Sequence, residues 1–480
     1  MAVSSWAQTM EIKQTNYLVK FKSSRALMEA VRKTTMATKM AGQKIEVLDD
    51  QWAKVSGKAA ESSALMQSQN IEYIQPDYAL GLIEDYSEQD NDAKTQWMEL
   101  MQNDPEMFAR STKSRNDNPA IPMATPVKIG TDPLLSKQWG MIDIGATQAW
   151  TQAKNNQTII VAVIDSGVDY THPDLLPNMW RNVGETGTDA AGRDKATNGI
   201  DDDRNGYVDD VVGYDFVSND ALPYDKATPV WQLALGGGNP GHGTHCAGNI
   251  AARGGNGIGI SGVAPHAQIM ALRFISEKGN GETSAAIKAI RYAVDNGAKV
   301  LNNSWGSIGE NAAEGTQNRA LREAIQYAES KGVLFVAAAG NGFRGRGYDN
   351  DTANAPAYPA SYPYSNIISV AALDAKDNLG GFSNYGAKTV HIGAPGVKIF
   401  STVVDAKYSD RPIPFIAVWE GTSMAAPHVA GAAALYWAHN PTKTMLEVKE
   451  AILSSAVKIP SMKGKSVSEG KLNLINLMKN

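Results

Sequence analysis

The chain predicts an α/β protein: a mostly parallel sheet with helices on both faces, preceded by a small α+β domain. Two observations carry this. From about residue 131 onward, short continuous apolar runs alternate with helical patterns, as expected of strands buried on both faces and joined by helices. Before residue 85, apolar alternation and helical stretches follow the order βαββαβ, the ferredoxin-like split arrangement. A chain of 480 residues is also long enough for more than one unit.

In the first unit, residues 16–22 alternate as a strand and 24–39 read as a helix. Residues 44–50 and 52–57 read as two strands meeting near Asp49-Asp50. Residues 59–69 read as a second helix and 71–77 as a last strand. Residues 86–130 differ in character. An acidic stretch comes first, then an amphipathic pattern over 93–110 that Pro105 interrupts, then a Pro- and Asn-containing stretch. This segment reads as a linker. In the last unit, 158–164, 268–274, 300–304, 333–339 and 367–371 read as buried strands. Residues 284–295, 320–331, 423–438 and 441–456 read as helices. The expected domains are therefore 1–85, 86–130 and 131–480.

Composition narrows the function classes. Hydrophobic content of 43% and charged content of 20% are those of an ordinary globular protein. A net charge of −5 without a Lys/Arg-rich block gives no footprint for nucleic acid. No apolar run spans a bilayer, so no membrane partner is expected. The single cysteine, Cys246, excludes an internal disulfide. Stapling must then come from core or metal. The first residues lack the basic end and apolar stretch of a signal peptide.

Three segments carry candidate chemistry. Val161-Ala-Val-Ile-Asp165 puts an Asp at the carboxyl end of a buried strand, where open α/β sheets place their sites. Gly241-His242-Gly-Thr-His245-Cys246 puts His242 in a Gly-rich turn. Gly421-Thr-Ser423-Met-Ala-Ala-Pro427 puts Ser423 at the start of an Ala-rich helix, whose N–H groups favour an oxyanion. An Asp, a His and a Ser supply an orienter, a base and a nucleophile. Taken singly, each has a plainer reading, such as a turn-capping Asp or an N-cap Ser.

Together and in this order, the segments resemble the subtilisin-like serine proteases (subtilases) over about the last three quarters of the chain; Asp…His…Ser is the order of subtilisin itself. The resemblance implies a serine endopeptidase acting on polypeptides through an acyl-enzyme. Asp165, His242 and Ser423 would form the triad, and Asn341 of Gly340-Asn341-Gly342 would be the oxyanion-hole amide. His245 would be structural. Cys246, which is similar to the cysteine of the proteinase K branch, would lie beneath the site. A Cys246 nucleophile is the rival, with no activating arrangement of its own. Substrate would lie extended between Gly279-Asn280-Gly281 on one side and Ser304-Trp305-Gly306 on the other, with Ala338-Ala339-Gly340 completing the primary pocket. Trp305 replaces the small aliphatic residue common there.

The residues 198–210 form an acidic insertion between the Asp165 and His242 motifs. Asp201, Asp203 and Asn205 followed by Gly206 resemble the front of an EF-hand loop, with Tyr207 at its seventh place. Val212 stands where the closing Glu would be, so Asp209 or Asp210 would close the site instead. Hard oxygen donors favour Ca²⁺; the plainer reading is a solvated acidic turn. A second Ca²⁺ site follows from the resemblance alone: Asp174, the loop with Gly254, Asn256, Ile258 and Ile260, and Asp132 as in thermitase-like members. The resemblance further implies export (extracellular or periplasmic), a monomer, and residues 1–85 as an intramolecular inhibitor whose tail near 78–82 enters the substrate groove. A protease-like binding or calcium-dependent structural protein and a maturation protease of narrow sequence preference are the alternatives. The first is opposed by the complete set of catalytic residue types, the second by the lack of acidic residues in Ser-Trp-Gly.

Overall fold

A computed structural model describes residues 16–37, 44–56, 70–82, 130–307, 317–343, 345–352, 356–414 and 417–480. The expected helices over 59–69 and 93–110 and the linker to 129 lie outside the described residues. Two compact units are separated by their contacts: residues 1–78 with 317–320, and residues 79–316 with 321–480.

In the first unit, β1 (Asn16–Phe21), β2 (Lys44–Val47), β3 (Trp52–Ser56) and β4 (Ile71–Pro76) form one sheet in the order β2-β3-β1-β4. Pairings β1–β3, β1–β4 and β2–β3 are all antiparallel, the order expected of a split βαβ arrangement. Helix α1 (Ser24–Ala37) supplies Ala26 and Leu27 to a core with Val19, Phe21, Ala53 and Val55. These are alternate residues of β1 and β3, so one sheet face meets the helix. The turn between β2 and β3 is held by Asp49, whose Oδ1 accepts the N–H groups of Gln51 and Trp52 at 2.7 Å each.

The second unit opens with β5 (Ala79–Gly81) and contains a nine-stranded sheet. Its members are β6 (Ile160–Asp165), β7 (Gly213–Asp215), β8 (Gln268–Arg273), β10 (Val300–Asn303), β12 (Leu334–Ala338), β13 (Ile367–Leu373), β14 (Ile392–Pro395), β17 (Val457–Lys458) and β18 (Gly470–Lys471). The order is β17-β18-β14-β13-β12-β10-β6-β8-β7, parallel except at β17–β18. The short strands β9 (Asn280–Glu282) and β11 (Gly306–Ser307) flank β5, and β15 (Ser401–Val403) pairs with β16 (Lys407–Ser409).

The central strands are apolar without alternation because both faces are covered: Val161, Ala162, Val163 and Ile164 are all fully buried. Helix α2 (His242–Ala251) and α5 (Thr422–His439) pack on one another, and α5 lies along β10, β12, β13 and β14. Helix α3 (Thr283–Asp295) packs on β6 and β8. Helices α4 (Arg319–Ser330) and α6 (Met445–Ser454) are two more of the longer helices, the latter opened by a Thr444/Glu447 capping box. Residues 422–438 of α5 are buried on every side, which explains a sequence apolar all round its axis. The short strands β7, β14, β17 and β18 escape the sequence patterns because each is only two to four residues long.

Candidate active site

Strands β6, β10 and β12 are neighbours in the sheet, and their carboxyl ends lead to Asp165, Ser304 and Asn341. Parallel strands must all present these ends on the same edge, so three distant segments converge there.

His242 opens α2 rather than lying in a turn, behind an N-cap Gly241 with φ 92°. Gly243 allows the helix to seat on β6: a Cβ there would lie 2.1 Å from the Gly167 carbonyl oxygen. The seat brings His242 Nδ1 to 2.8 Å from Asp165 Oδ1, with both side chains fully buried. A carboxylate only accepts, so Nδ1 donates, and Nε2 of the neutral ring is the acceptor end. Asp165 Oδ1 also accepts the Ser166 N–H at 2.7 Å.

Ser423 is the second residue of α5, after the N-cap Gly421. Pro427 stands four residues later inside the helix and has no N–H to give the Ser423 carbonyl. That carbonyl instead accepts Ser304 Oγ at 2.9 Å and Cys246 Sγ at 3.5 Å. The same Sγ lies 3.9 Å from His242 Nδ1, so the thiol touches both motifs. Burial pushes its pKa up, which keeps it a protonated donor, not a thiolate nucleophile. His245 stacks on Trp419 with centroids 4.3 Å apart and binds the Ile399 carbonyl at 3.0 Å. Burial lowers its pKa to about 3, so it stays neutral.

Asn341 Oδ1 accepts both the N–H and the Oγ1 of Thr422 at 2.8 Å. A backbone N–H demands an acceptor, so this fixes the amide's orientation and leaves its NH₂ as the donating end. Gly340, with φ 105°, donates its N–H to Thr422 Oγ1 at 3.1 Å. Ala338 ends β12 and Ala339 follows, its carbonyl held by Asn350 Nδ2 at 2.8 Å. Trp305 is wholly buried, edge-on to Phe274 at 4.9 Å.

Within this unit, β5 lies between β9 and β11, antiparallel to both. Leu80 faces Gly281 on one side and Ser307 on the other, and the Leu82 N–H donates to Gly279 O at 3.0 Å. Gly279, Asn280 and Gly281, and Gly306 of the second segment, therefore line one short strand of the chain itself.

The acidic insertion sorts its residues into two groups. Asp201 accepts the N–H groups of Asn205 and Gly206, and Asp209 that of Gly199; both hold the loop. Asn205 Oδ1 accepts the Tyr207 N–H at 2.8 Å, while the Tyr207 ring packs on Tyr214, Phe216 and Tyr292. Asp203 and Asp210 converge with Glu185, their oxygens all within 4.8 Å. Glu185 carries no signal in the sequence because it stands alone, 16 residues before Asp201. It is fully buried; Oε1 accepts the N–H groups of Asp202 and Asp203, while Oε2 has no partner among the described residues. Burial raises the pKa of Glu185 and Asp210. An orphaned buried carboxylate oxygen among hard oxygen donors fits Ca²⁺.

At the second expected site, Asp132 accepts the N–H groups of Gly255 and Gly257 and the Ser261 hydroxyl. Asp174 accepts the Ile260 N–H at 2.8 Å and the Tyr408 hydroxyl at 2.9 Å. Burial, with the charge of Asp132, raises Asp174 to about 6. Asn256 corrects the expectation in one respect. It turns its NH₂ to Asp174 (2.6 Å), and its oxygen accepts the Ile258 N–H. Two buried carboxylates attract a donor, not an acceptor. Gly254 packs tightly on Pro265 and Ser261.

Residues 156–473 match the Subtilase family. The chain is 37% identical over 338 residues to thermitase of Thermoactinomyces vulgaris, covering 70% of this chain and 94% of that protein. It is 34% identical to a thermophilic serine proteinase of Bacillus sp. strain AK1, covering 76% and 74%. Among solved structures, fervidolysin from Fervidobacterium pennivorans, described as a keratinolytic enzyme related to subtilisin, superposes with a TM-score of 0.64 at 25% identity. That match covers 98% of this chain and 62% of the other. With the strand-end Asp, the helix-start His and the helix-start Ser in place on a parallel sheet, the chain belongs to the subtilase family and is a serine protease.

Proposed function

We propose that the chain is a self-processing zymogen of a calcium-binding serine endopeptidase, with Ser423 as nucleophile, His242 as base, Asp165 as orienter and Asn341 as oxyanion donor. The observation that carries the zymogen reading is β5. A strand of the chain itself pairs on both edges with the segments expected to hold an extended peptide, as in β-augmentation. Residues 1–85 then act as the inhibitor domain, and a cut after this tail releases the catalytic part, residues 131–480.

In the reaction, Ser423 Oγ attacks the peptide carbonyl while His242 Nε2 takes its proton. The imidazolium is stabilised by Asp165, already bonded to Nδ1 at 2.8 Å. The Asn341 NH₂ and the Ser423 N–H receive the negative oxygen. His242 returns the proton to the leaving amine, and water reverses the steps to free the acid. Small residues at 279, 281, 306, 338, 339 and 340 leave room for substrate backbone and a side chain. Ca²⁺ would be held by Glu185, Asp203 and Asp210, and by Asp132 and Asp174, where it neutralises clustered carboxylates and cross-links loops that no disulfide staples. Export suits an enzyme that must be inhibited until it leaves the cell.

A fluorophosphonate probe tests the reading. The processed protein should be labelled once, and Ser423→Ala should be neither labelled nor processed. Labelling that survives Ser423→Ala would refute the assignment.

A further inference from the structure

Asp225 lies 17 residues before His242 in a loop that carries none of the family motifs, and it is fully buried. Its two oxygens divide their partners. Oδ1 accepts Ser166 Oγ at 3.0 Å and Asn239 Nδ2 at 2.7 Å. Oδ2 accepts the Thr244 N–H at 3.0 Å and Thr244 Oγ1 at 2.6 Å.

The directions of these bonds follow for an ionised Asp225, which only accepts. Ser166 Oγ accepts the Gly243 N–H at 2.9 Å, and Thr244 Oγ1 accepts the Asp169 N–H at 2.9 Å. Each hydroxyl has one proton, and the remaining bond of each ends on Asp225. The carboxylate thus meets donors at all four positions. Those donors belong to the two halves of the triad. Ser166 follows Asp165 at the end of β6, and Thr244 is two residues past His242 in the first turn of α2. Asn239 completes the tie, its Oδ1 accepting the N–H groups of Gly241 and His242 at 3.0 Å each.

We propose that Asp225, as an ionised carboxylate, is a positioning residue that clamps the Asp165 strand end to the His242 helix; this rests on the Asp165–His242–Ser423 reading above. It touches no reacting atom. It sets the distance over which His242 Nδ1 and Asp165 Oδ1 meet, and a small misplacement there reaches the proton transfer. Burial lifts its pKa to about 6, with the charge of Asp165 adding to the rise and the donors from Thr244 and Asn239 opposing it. Its neighbour Tyr224 is pushed up by burial, with the charges of Asp169, Asp405 and Asp225 adding to the rise, and Lys226 reaches toward Asp215 at 4.0 Å.

The test is Asp225→Asn in the full chain, with kcat expressed per Ser423 titrated by fluorophosphonate and Ser423→Ala as blank. An Asn offers one acceptor and one NH₂, so whichever way it turns, one pair of donors loses its acceptor. We expect kcat to fall about 10–100-fold at pH 8 with KM within about twofold. The ratio of variant to wild-type kcat should climb toward one below about pH 6, where the wild type loses the carboxylate too. Wild-type kcat, or a reduced kcat whose ratio is flat with pH, overturns the proposal. Loss of fluorophosphonate labelling in the folded wild type instead overturns the underlying triad reading. If Asp225→Asn does not fold, Thr244→Val and Thr244→Ser decide. Val removes the hydroxyl and Ser keeps it. A kcat at least about fivefold lower for Val at equal melting temperature supports the clamp, and equal kcat overturns it.

Discussion

Ser304 Oγ donates to the main-chain carbonyl of Ser423 at 2.9 Å. The bond exists because Pro427 withholds the N–H that a regular helix would supply. Ser304→Ala should therefore cost about 1–3 kcal/mol, leaving a buried carbonyl with only the thiol of Cys246. Pro427→Ala restores a donor. In a double-mutant cycle followed by denaturant unfolding, the second change should recover part of the first loss. Strict additivity would show that the two residues do not share this carbonyl.

Asn341→Ala should lower kcat about 10²–10³-fold, a figure that comes from subtilisin itself, with little change in KM. The measurement is steady-state hydrolysis of a chromogenic peptide. A change confined to KM would place Asn341 in substrate binding instead of charge stabilisation.

Leu80 is 2% exposed within β5. Leu80→Glu forces a carboxylate into that position and should weaken β5 pairing about tenfold or more. The lag before proteolytic activity appears in freshly refolded full chain should shorten. An unchanged lag would mean that β5 does not control access.

Asp174 carries the pH prediction. Its folded pKa is raised from 3.8 to about 6 by burial and by Asp132. A raised carboxyl pKa means that the native state binds the proton more tightly than the unfolded chain. Its stabilisation is complete below about pH 4 and lost as pH rises through about 6. About 3 kcal/mol is at stake for a shift of about two units. In chelator, thermal unfolding should show this loss between pH 4 and 7, and Asp174→Asn should abolish it. Added Ca²⁺ should raise the melting temperature most at the upper end, where Asp174 is charged.

Glu185→Gln should reduce the Ca²⁺-dependent rise in melting temperature while leaving the chelated protein no less stable, since burial disfavours the charge on Glu185. A calcium response equal to the wild type would remove Glu185 from the ligand set.

Much of this protein is legible in one dimension. The apolar run before Asp165, the glycines around His242 and the Ala-rich stretch after Ser423 are local patterns, and local patterns follow from backbone sterics and burial. They determine strands β6, β8, β10, β12 and β13, the long helix α5, and the sheet edge where the site must lie. What the tertiary structure alone decides is which isolated polar residues meet. Glu185 and Asp225 sit in polar stretches with no periodicity, and nothing in their neighbours marks them as buried. Their roles arise because the parallel sheet folds distant loops over one edge, where a carboxylate taken out of water must find donors or a cation. Ser304 likewise answers a missing N–H at Pro427, a bond set by packing across 119 residues of chain. The order of the motifs names the chemistry; the desolvation of the groups between them decides how it is held in place.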